Sequence, residues 1–102
     1  MLTLHKPILL DNGDSIGELS FDWDALSYAD LLNAKRVKAL VTQGTQMMDT
    51  PVSPKLDTDL RIGISWVAAM KHDKRLALND IMRLSLADAL ELADCCIDEY
   101  LA

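Results

Sequence analysis

The dipeptide Asn12-Gly13 constrains the fold of this chain more than any other short feature. Asn-Gly readily adopts the positive φ angles of a type I′ turn, which joins two antiparallel strands. An apolar run, residues 8–10, precedes the dipeptide, and apolar and polar residues alternate after it as far as Trp23. Alternation with a period of two places one set of side chains on each face of a strand. Residues 1–24 are therefore predicted to form a β-hairpin with one buried face.

Pro7 lies inside the first of these two strands. It has no N–H to donate to a neighbouring strand, so it is expected at a strand edge or at a bulge. Leu2 and Leu4 can continue the pairing before it. Because a two-stranded hairpin alone is marginally stable in water, helices must cover its buried face.

The rest of the chain, residues 27–102, changes to helical spacing. Ser27 followed by Asp30, and Ser85 followed by Asp88, resemble capping boxes, so each pair predicts the start of a helix. Three main helices are expected: from Tyr28 to about Val41, from Asp57 to the basic run at 71–75, and from Ser85 to the C-terminus. One short helical turn, from Asp80 to Arg83, is expected before the last helix.

A connector separates the first two helices. Residues 44–56 contain Gly44 and two prolines, and they cannot remain helical throughout. A chain of 102 residues is long enough for one domain and too short for two ordinary ones. We therefore predict a single α+β domain, residues 1–102, in which an N-terminal β-hairpin packs on three helices plus a short helical turn.

The last helix is predicted to expose an acidic face. No Lys or Arg follows Arg83. The carboxylates assigned to the exposed face are those of Asp88, Glu91, Asp94, Asp98 and Glu99. The side chains expected to face the core recur at steps of three and four, at Leu86, Ala89, Leu90, Ala93, Ile97 and Leu101.

Charge and hydropathy restrict the function classes. The chain has 16 acidic and 10 basic residues and a formal net charge of −6. A nucleic-acid binder needs the opposite bias, because Lys and Arg must neutralise phosphates. No apolar run approaches the ~18 residues of a membrane-spanning helix, and the N-terminus lacks the pattern of a signal peptide. We expect a soluble, cytoplasmic protein that contacts neither nucleic acid nor membrane.

Residues that could carry catalysis or hold a metal are sparse. Cys95 and Cys96 are adjacent in a predicted helix, where consecutive side chains diverge by about 100°, so neither a disulfide nor a zinc site is expected. His5 and His72 have no Ser or Cys partner in a recognisable nucleophile motif. The sequence therefore predicts no catalytic, cofactor-binding or metal-binding residues, and no enzyme.

The predicted helices carry more apolar side chains than a small domain readily buries. A chain of this length buries roughly 65% of the surface that it exposes when unfolded. We interpret the surplus as an adhesive surface for another helix or for a second copy, and a filled core with scattered surface exposure is the alternative. The candidate partner-binding residues are Met47, Met48, Trp66, Met70, Leu92 and Cys96.

Four segments carry a family resemblance. They are Leu4-His-Lys-Pro-Ile-Leu-Leu with the hairpin and Glu18-Leu-Ser-Phe-Asp-Trp-Asp; Leu26-Ser-Tyr-Ala-Asp-Leu-Leu-Asn-Ala; Pro54-Lys-Leu-Asp with the helix containing Val67-Ala-Ala-Met; and Asn79-Asp-Ile-Met-Arg-Leu-Ser-Leu-Ala-Asp-Ala. In length, segment order and acidity the chain resembles the small tail assembly chaperones of long-tailed bacteriophages and prophages.

The resemblance implies a non-enzymatic protein without a cofactor that binds the tape measure protein, keeps it soluble and helps to recruit tail tube subunits. It also implies self-association, action in the host cytoplasm and absence from the mature virion. One alternative is an acidic prophage regulator or inhibitor that occupies a basic site with its C-terminal helix. A small metal-dependent enzyme, which divalent ions would stabilise, is a third possibility.

Overall fold

The chain folds as an N-terminal hairpin packed on helices. A computed structural model describes residues 1–41 and 58–100. The secondary structure elements are β1 (Leu2–Leu9), β2 (Ser15–Leu19), a 3-10 turn (Trp23–Ala25), α1 (Tyr28–Val41), α2 (Thr58–His72), a second 3-10 turn (Leu78–Arg83), α3 (Leu86–Cys95) and a π-helical turn (Cys96–Tyr100). The α+β class, with a hairpin packed on helices, is confirmed. The predicted connector at residues 44–56 lies outside the described residues.

The two strands form an antiparallel sheet, but the turn between them is not the predicted type I′ turn. The N–H of Leu10 donates to the carbonyl of Asp14 at 2.8 Å, and the N–H of Gly13 donates to the carbonyl of Leu10 at 3.0 Å. Gly13 has φ 92°, and no non-glycine residue in the described part of the chain has a positive φ. A type I′ turn needs two positive φ values, so this is a three-residue loop that ends with glycine in the left-handed region.

The predicted irregularity around Pro7 is confirmed. The strands pair at Thr3 with Glu18 and again at Ile8 with Ile16, and their register shifts between these two pairs. Residues 4–7 of β1 therefore lie opposite a single residue of β2. This bulge leaves backbone N–H groups of β1 free to bond to something other than β2.

The second strand is shorter than predicted. It ends at Leu19, and Trp23 instead begins a 3-10 turn. The N–H of Asp22 donates to the carbonyl of Ala68 in α2 at 3.1 Å. The chain leaves the sheet early because it bonds to the central helix at this point.

Helix α2 is the centre of the domain. Its residues from Ile62 to Ala69 are all buried. Helix α1 approaches it so closely at Gly63 that a Cβ atom there would lie 2.4 Å from the carbonyl oxygen of Ala34. Glycine is required at this crossing because a side chain would collide with backbone.

Helix α3 is rotated relative to the sequence prediction. Asp88, Leu92 and Cys96, at steps of four, are fully buried. Leu86 and Leu90, predicted to face the core, are exposed. The prediction was therefore wrong for Asp88, Leu86 and Leu90, whereas Ala93 is buried as predicted and Leu101 lies outside the described residues. Asp88 is the physical reason for the rotation, since its carboxylate bonds to the bulge of β1.

Candidate partner-binding groove

A groove of about 410 Å³ lies where α1, α2 and the π-helical turn meet. Its volume is within the range of sites that bury a few apolar groups. Most of its lining is apolar or aromatic. The lining residues are Leu26, Ser27, Tyr28, Asp30, Leu31, Ile64 and Tyr100.

Both tyrosines of the chain line this groove. Tyr28 is the first residue of α1 and is 80% exposed, and Tyr100 in the π-helical turn is 44% exposed. Leu32, one turn after Tyr28, is also exposed. Tyrosine is enriched at protein interfaces because it combines a large apolar ring, a polar tip and few rotatable bonds. The groove has the composition of a surface that binds a protein segment.

A small aromatic cluster holds the π-helical turn in place. The ring of Trp23 stacks on Phe21 with centroids 4.9 Å apart and on Tyr100 with centroids 5.4 Å apart. The indole N–H of Trp23 donates to Glu99 Oε1 at 3.3 Å. These contacts connect the C-terminal turn to the exit from the hairpin, and they position Tyr100 at the groove.

Asp30 is the buried polar residue of the lining. Its Oδ2 accepts the N–H of Ser27 at 2.8 Å, and its Oδ1 lies 3.3 Å from the ammonium of Lys71. The Ser27 N–H, helped by Lys71 and opposed by burial, holds the pKa of Asp30 below its ordinary value. The charge of Asp30 is thus paired within the protein, so the surface that the groove offers to a ligand is mainly apolar.

Three of the predicted partner-binding residues are not on the surface. Trp66, Leu92 and Cys96 have no exposed area. Trp66 also donates its indole N–H to the carbonyl of Ala77 at 3.2 Å, and Leu92 accepts the hydroxyl of Ser65 through its carbonyl at 2.6 Å. The prediction that these three side chains form an adhesive surface is wrong, because rotation of α3 and the central place of α2 put them in the core.

Of the three methionines in that prediction, the structure describes Met70 alone. Met70 is half-buried and packs against the core. Met47 and Met48 lie outside the described residues. The apolar surplus expected from the sequence therefore occurs at other positions, among them Tyr28, Leu32, Leu86 and Leu90.

The acidic face predicted for the last helix is smaller than expected. Asp88 is buried, and Glu91 Oε1 lies 2.9 Å from His5 Nε2. Asp94, Asp98 and Glu99 are exposed as predicted. Two of the five carboxylates thus connect α3 to β1, and a third, that of Glu99, accepts the indole N–H of Trp23.

The two cysteines are free. Burial, with the nearby Glu99, raises the pKa of Cys95 to about 11, and burial raises the pKa of Cys96 to about 11 despite the hydroxyl of Ser65. The thiolate is the reactive form of cysteine, and at neutral pH these groups remain thiols. This chemistry fits structural residues better than nucleophiles.

Comparisons with protein-family models, with curated proteins and with solved structures found no significant match to this chain. Within residues 1–41 and 58–100, no helix combines the length and apolarity needed to cross a membrane. The functional conclusion therefore depends on the site itself and on the resemblance of the sequence segments.

Sequence reasoning missed the groove. Tyr28 was expected only as a helix start, and Tyr100 received no role. The sequence did contain one sign of the groove: its two tyrosines each lie at an end of a helical segment, outside the apolar stripes. The sequence does not show that the beginning of α1 and the π-helical turn line the same groove, since that depends on how both pack on α2.

Proposed function

We propose that this protein is a non-enzymatic tail assembly chaperone of a long-tailed phage or prophage. In this proposal it acts in the host cytoplasm, binds a helical segment of the tape measure protein and is absent from the mature virion. The observation that carries the proposal is the apolar groove with Tyr28 and Tyr100 exposed along it. Such a groove can cover an apolar stripe that would otherwise cause a long helical protein to aggregate.

The net charge of the chain suggests the character of the bound helix. The whole chain carries a formal charge of −6. A helix with an apolar stripe flanked by Lys and Arg would be attracted to this surface and oriented on it.

The direct test is co-expression of this chain with the tape measure protein encoded in the same phage or prophage. The wild-type chain should raise the soluble fraction of the tape measure protein and copurify with it. Replacing both tyrosines with lysine, Tyr28→Lys with Tyr100→Lys, should remove this effect, because two cations would then be buried against an apolar helix with a basic border.

Leu86→Lys is a control matched to the Tyr28→Lys half of this double variant. Leu86 is the first residue of α3, as Tyr28 is of α1, and it is 76% exposed against 80% for Tyr28. A lysine therefore meets the same helix dipole at both positions. The control should retain tape measure binding. If the wild-type chain leaves the tape measure protein insoluble, the chaperone proposal fails; if the double lysine variant still solubilises it, the groove is not the binding site.

Gene order gives an independent test. A chaperone gene of this kind should lie between a tail tube gene and a very long tape measure gene, whereas the gene of an acidic regulator should not. Contact with the tail tube protein and self-association stay predictions that follow from the resemblance. The inhibitor alternative is weaker, because Asp88 and Glu91 are engaged with β1.

A further inference from the structure

We propose that His5, Asp88 and Glu91 form a binding site for a divalent transition metal ion such as Zn²⁺, between the bulge of β1 and the start of α3. This site goes beyond the proposed chaperone function and does not depend on it. The three residues come from two elements that are more than 80 positions apart in the chain.

The separations of the ligand atoms fit a metal ion. His5 Nε2 and Glu91 Oε1 are 2.9 Å apart, and one ligand atom from each of the three residues lies within 4.8 Å of the others. Zinc binds nitrogen and oxygen at about 2.0–2.2 Å, which places two ligand atoms roughly 3.4 Å apart in a tetrahedral site. Small rotations of the His5 and Glu91 side chains would bring the three groups to that spacing.

Hydrogen bonds already fix the innermost ligand. Asp88 Oδ1 accepts the N–H of His5 at 2.9 Å, and Oδ2 accepts the N–H of Lys6 at 3.1 Å and the hydroxyl of Ser85 at 2.8 Å. A carboxylate oxygen has two lone pairs, so Oδ1 retains one for an ion. Glu91 follows Asp88 by three residues on α3, and side chains at this spacing are neighbours on a helix. The site is therefore largely organised before an ion binds.

The ligand types select the class of ion. An imidazole nitrogen with two carboxylates suits Zn²⁺, Ni²⁺ or Cu²⁺ better than Mg²⁺ or Ca²⁺, which prefer oxygen alone. The side chains of His5 and Glu91 are 63% and 41% exposed, so an ion can reach them and water can complete its coordination. Binding would connect β1 to α3 and stabilise the folded chain, because the unfolded chain does not hold these ligands together.

The test uses the full chain without an affinity tag and titrates it with ZnCl₂. Calorimetry should show one ion per chain, and the Tm should rise by about 7 °C when free Zn²⁺ exceeds the Kd tenfold. His5→Ala should weaken binding at least tenfold. This variant should still fold, since the backbone N–H of His5 continues to donate to Asp88 and the removed ring is mostly exposed.

Two variants control for other zinc ligands. His72→Ala removes the second histidine, and Cys95→Ser removes the more exposed of the two thiols. Both should bind Zn²⁺ as the wild type does, whereas Glu91→Gln should resemble His5→Ala. The proposal is overturned if the wild type binds no Zn²⁺, if His5→Ala binds it equally well, or if either control loses it. The first of these results would leave His5 and Glu91 as an ion pair only.

Discussion

Asp88 Oδ1 accepts the backbone N–H of His5 at 2.9 Å, although 83 positions separate the two residues in the chain. The next N–H, that of Lys6, donates to Oδ2 of the same carboxylate. Both donors lie in the bulge of β1, where the register of the sheet shifts. One carboxylate thus satisfies two backbone groups that would otherwise lack a partner in the sheet.

This relationship determines how α3 sits on the domain. Asp88 is also near the start of α3, and its N–H donates to the hydroxyl of Ser85, which caps the helix. With Asp88 turned inward, Leu92 and Cys96 follow it into the core at steps of four, and Leu86 and Leu90 face outward. A single buried carboxylate therefore rotates the buried face of α3 away from the one that hydrophobicity alone predicts.

Replacing Asp88 with asparagine should destabilise the fold strongly. The amide would turn a donor toward one of the groups that now donate to the carboxylate, which leaves buried donors unsatisfied. We expect the free energy of unfolding, measured by urea denaturation, to fall by about 3 kcal/mol. Asp94→Asn, on the exposed side of α3, should change it by less than about 0.5 kcal/mol. Equal effects of the two substitutions would contradict a structural role for Asp88.

Stability should fall in acid. Burial would raise the pKa of Asp88, but hydrogen bonds from the His5 N–H, the Ser85 hydroxyl and the Lys6 N–H outweigh it and hold this pKa below its ordinary value. The pKa of Asp30 is lowered too. The stabilisation is present above the unfolded pKa of about 3.9 and is lost as pH falls through the lower folded values. Urea denaturation between about pH 5 and pH 2 should show this loss, and Asp88→Asn should show a smaller one.

His5 should have the opposite pH dependence. The hydrogen bond and charge of Glu91, with the charge of Asp88, raise the pKa of its imidazole. The stabilisation is complete below the unfolded pKa of about 6.5 and is lost as pH rises through the folded value. An NMR titration should give a pKa for His5 above 6.5 in the wild type and a lower one in Glu91→Gln. No difference between the two proteins would show that Glu91 does not act on His5.

Substitution of Gly63 tests the packing of α1 on α2. A Cβ at this position would lie 2.4 Å from the carbonyl oxygen of Ala34, so Gly63→Ala must move one helix. We expect a net loss of about 1–3 kcal/mol, although alanine is intrinsically better than glycine in a helix by about 1 kcal/mol. Gly17→Ala in β2 is the control, since no atom lies within 4 Å of its Cβ position. The Tm of each variant, measured by thermal unfolding, tests this contact: Gly63→Ala should lower the Tm more than Gly17→Ala does.

The thiols should react slowly in the folded protein. Burial contributes to a pKa of about 11 for both Cys95 and Cys96, and Cys96 has no exposed area. Alkylation by iodoacetamide at pH 7.5 should therefore be at least tenfold slower than in 8 M urea, because little thiolate exists and access is restricted. If both cysteines of the folded protein are alkylated as fast as those of the unfolded chain, the thiols are neither buried nor raised in pKa.

Local patterns predicted much of the fold. The Asn12-Gly13 dipeptide and the alternation around it indicated the hairpin, Pro7 indicated the bulge, and the Ser27 and Ser85 caps indicated two helix starts. Each of these features depends on residues that are close in the chain. The type of the turn was predicted wrongly, because the position of Gly13 in it depends on how the two strands pair on either side.

The groove and the face of α3 could not be predicted in the same way. Tyr28 and Tyr100 line one groove with Ile64 of α2, which brings together residues from both ends of the described helical region. His5 lies beside Glu91 because Asp88 bonds to the bulge. Periodicity shows that a helix has an apolar stripe, but when two stripes are possible it does not show which one is buried. Here a polar contact decided between them.

The sequence by itself determined the class of the fold, the places where strands and helices begin and the acidic character of the chain. These follow from backbone preferences, caps and composition, which act over a few residues. Only the tertiary structure decided which apolar side chains remain at the surface. The burial of Asp88 against β1 placed Leu92 and Cys96 inside, and the meeting of α1 with the C-terminal turn formed the groove, because both depend on contacts between distant parts of the chain.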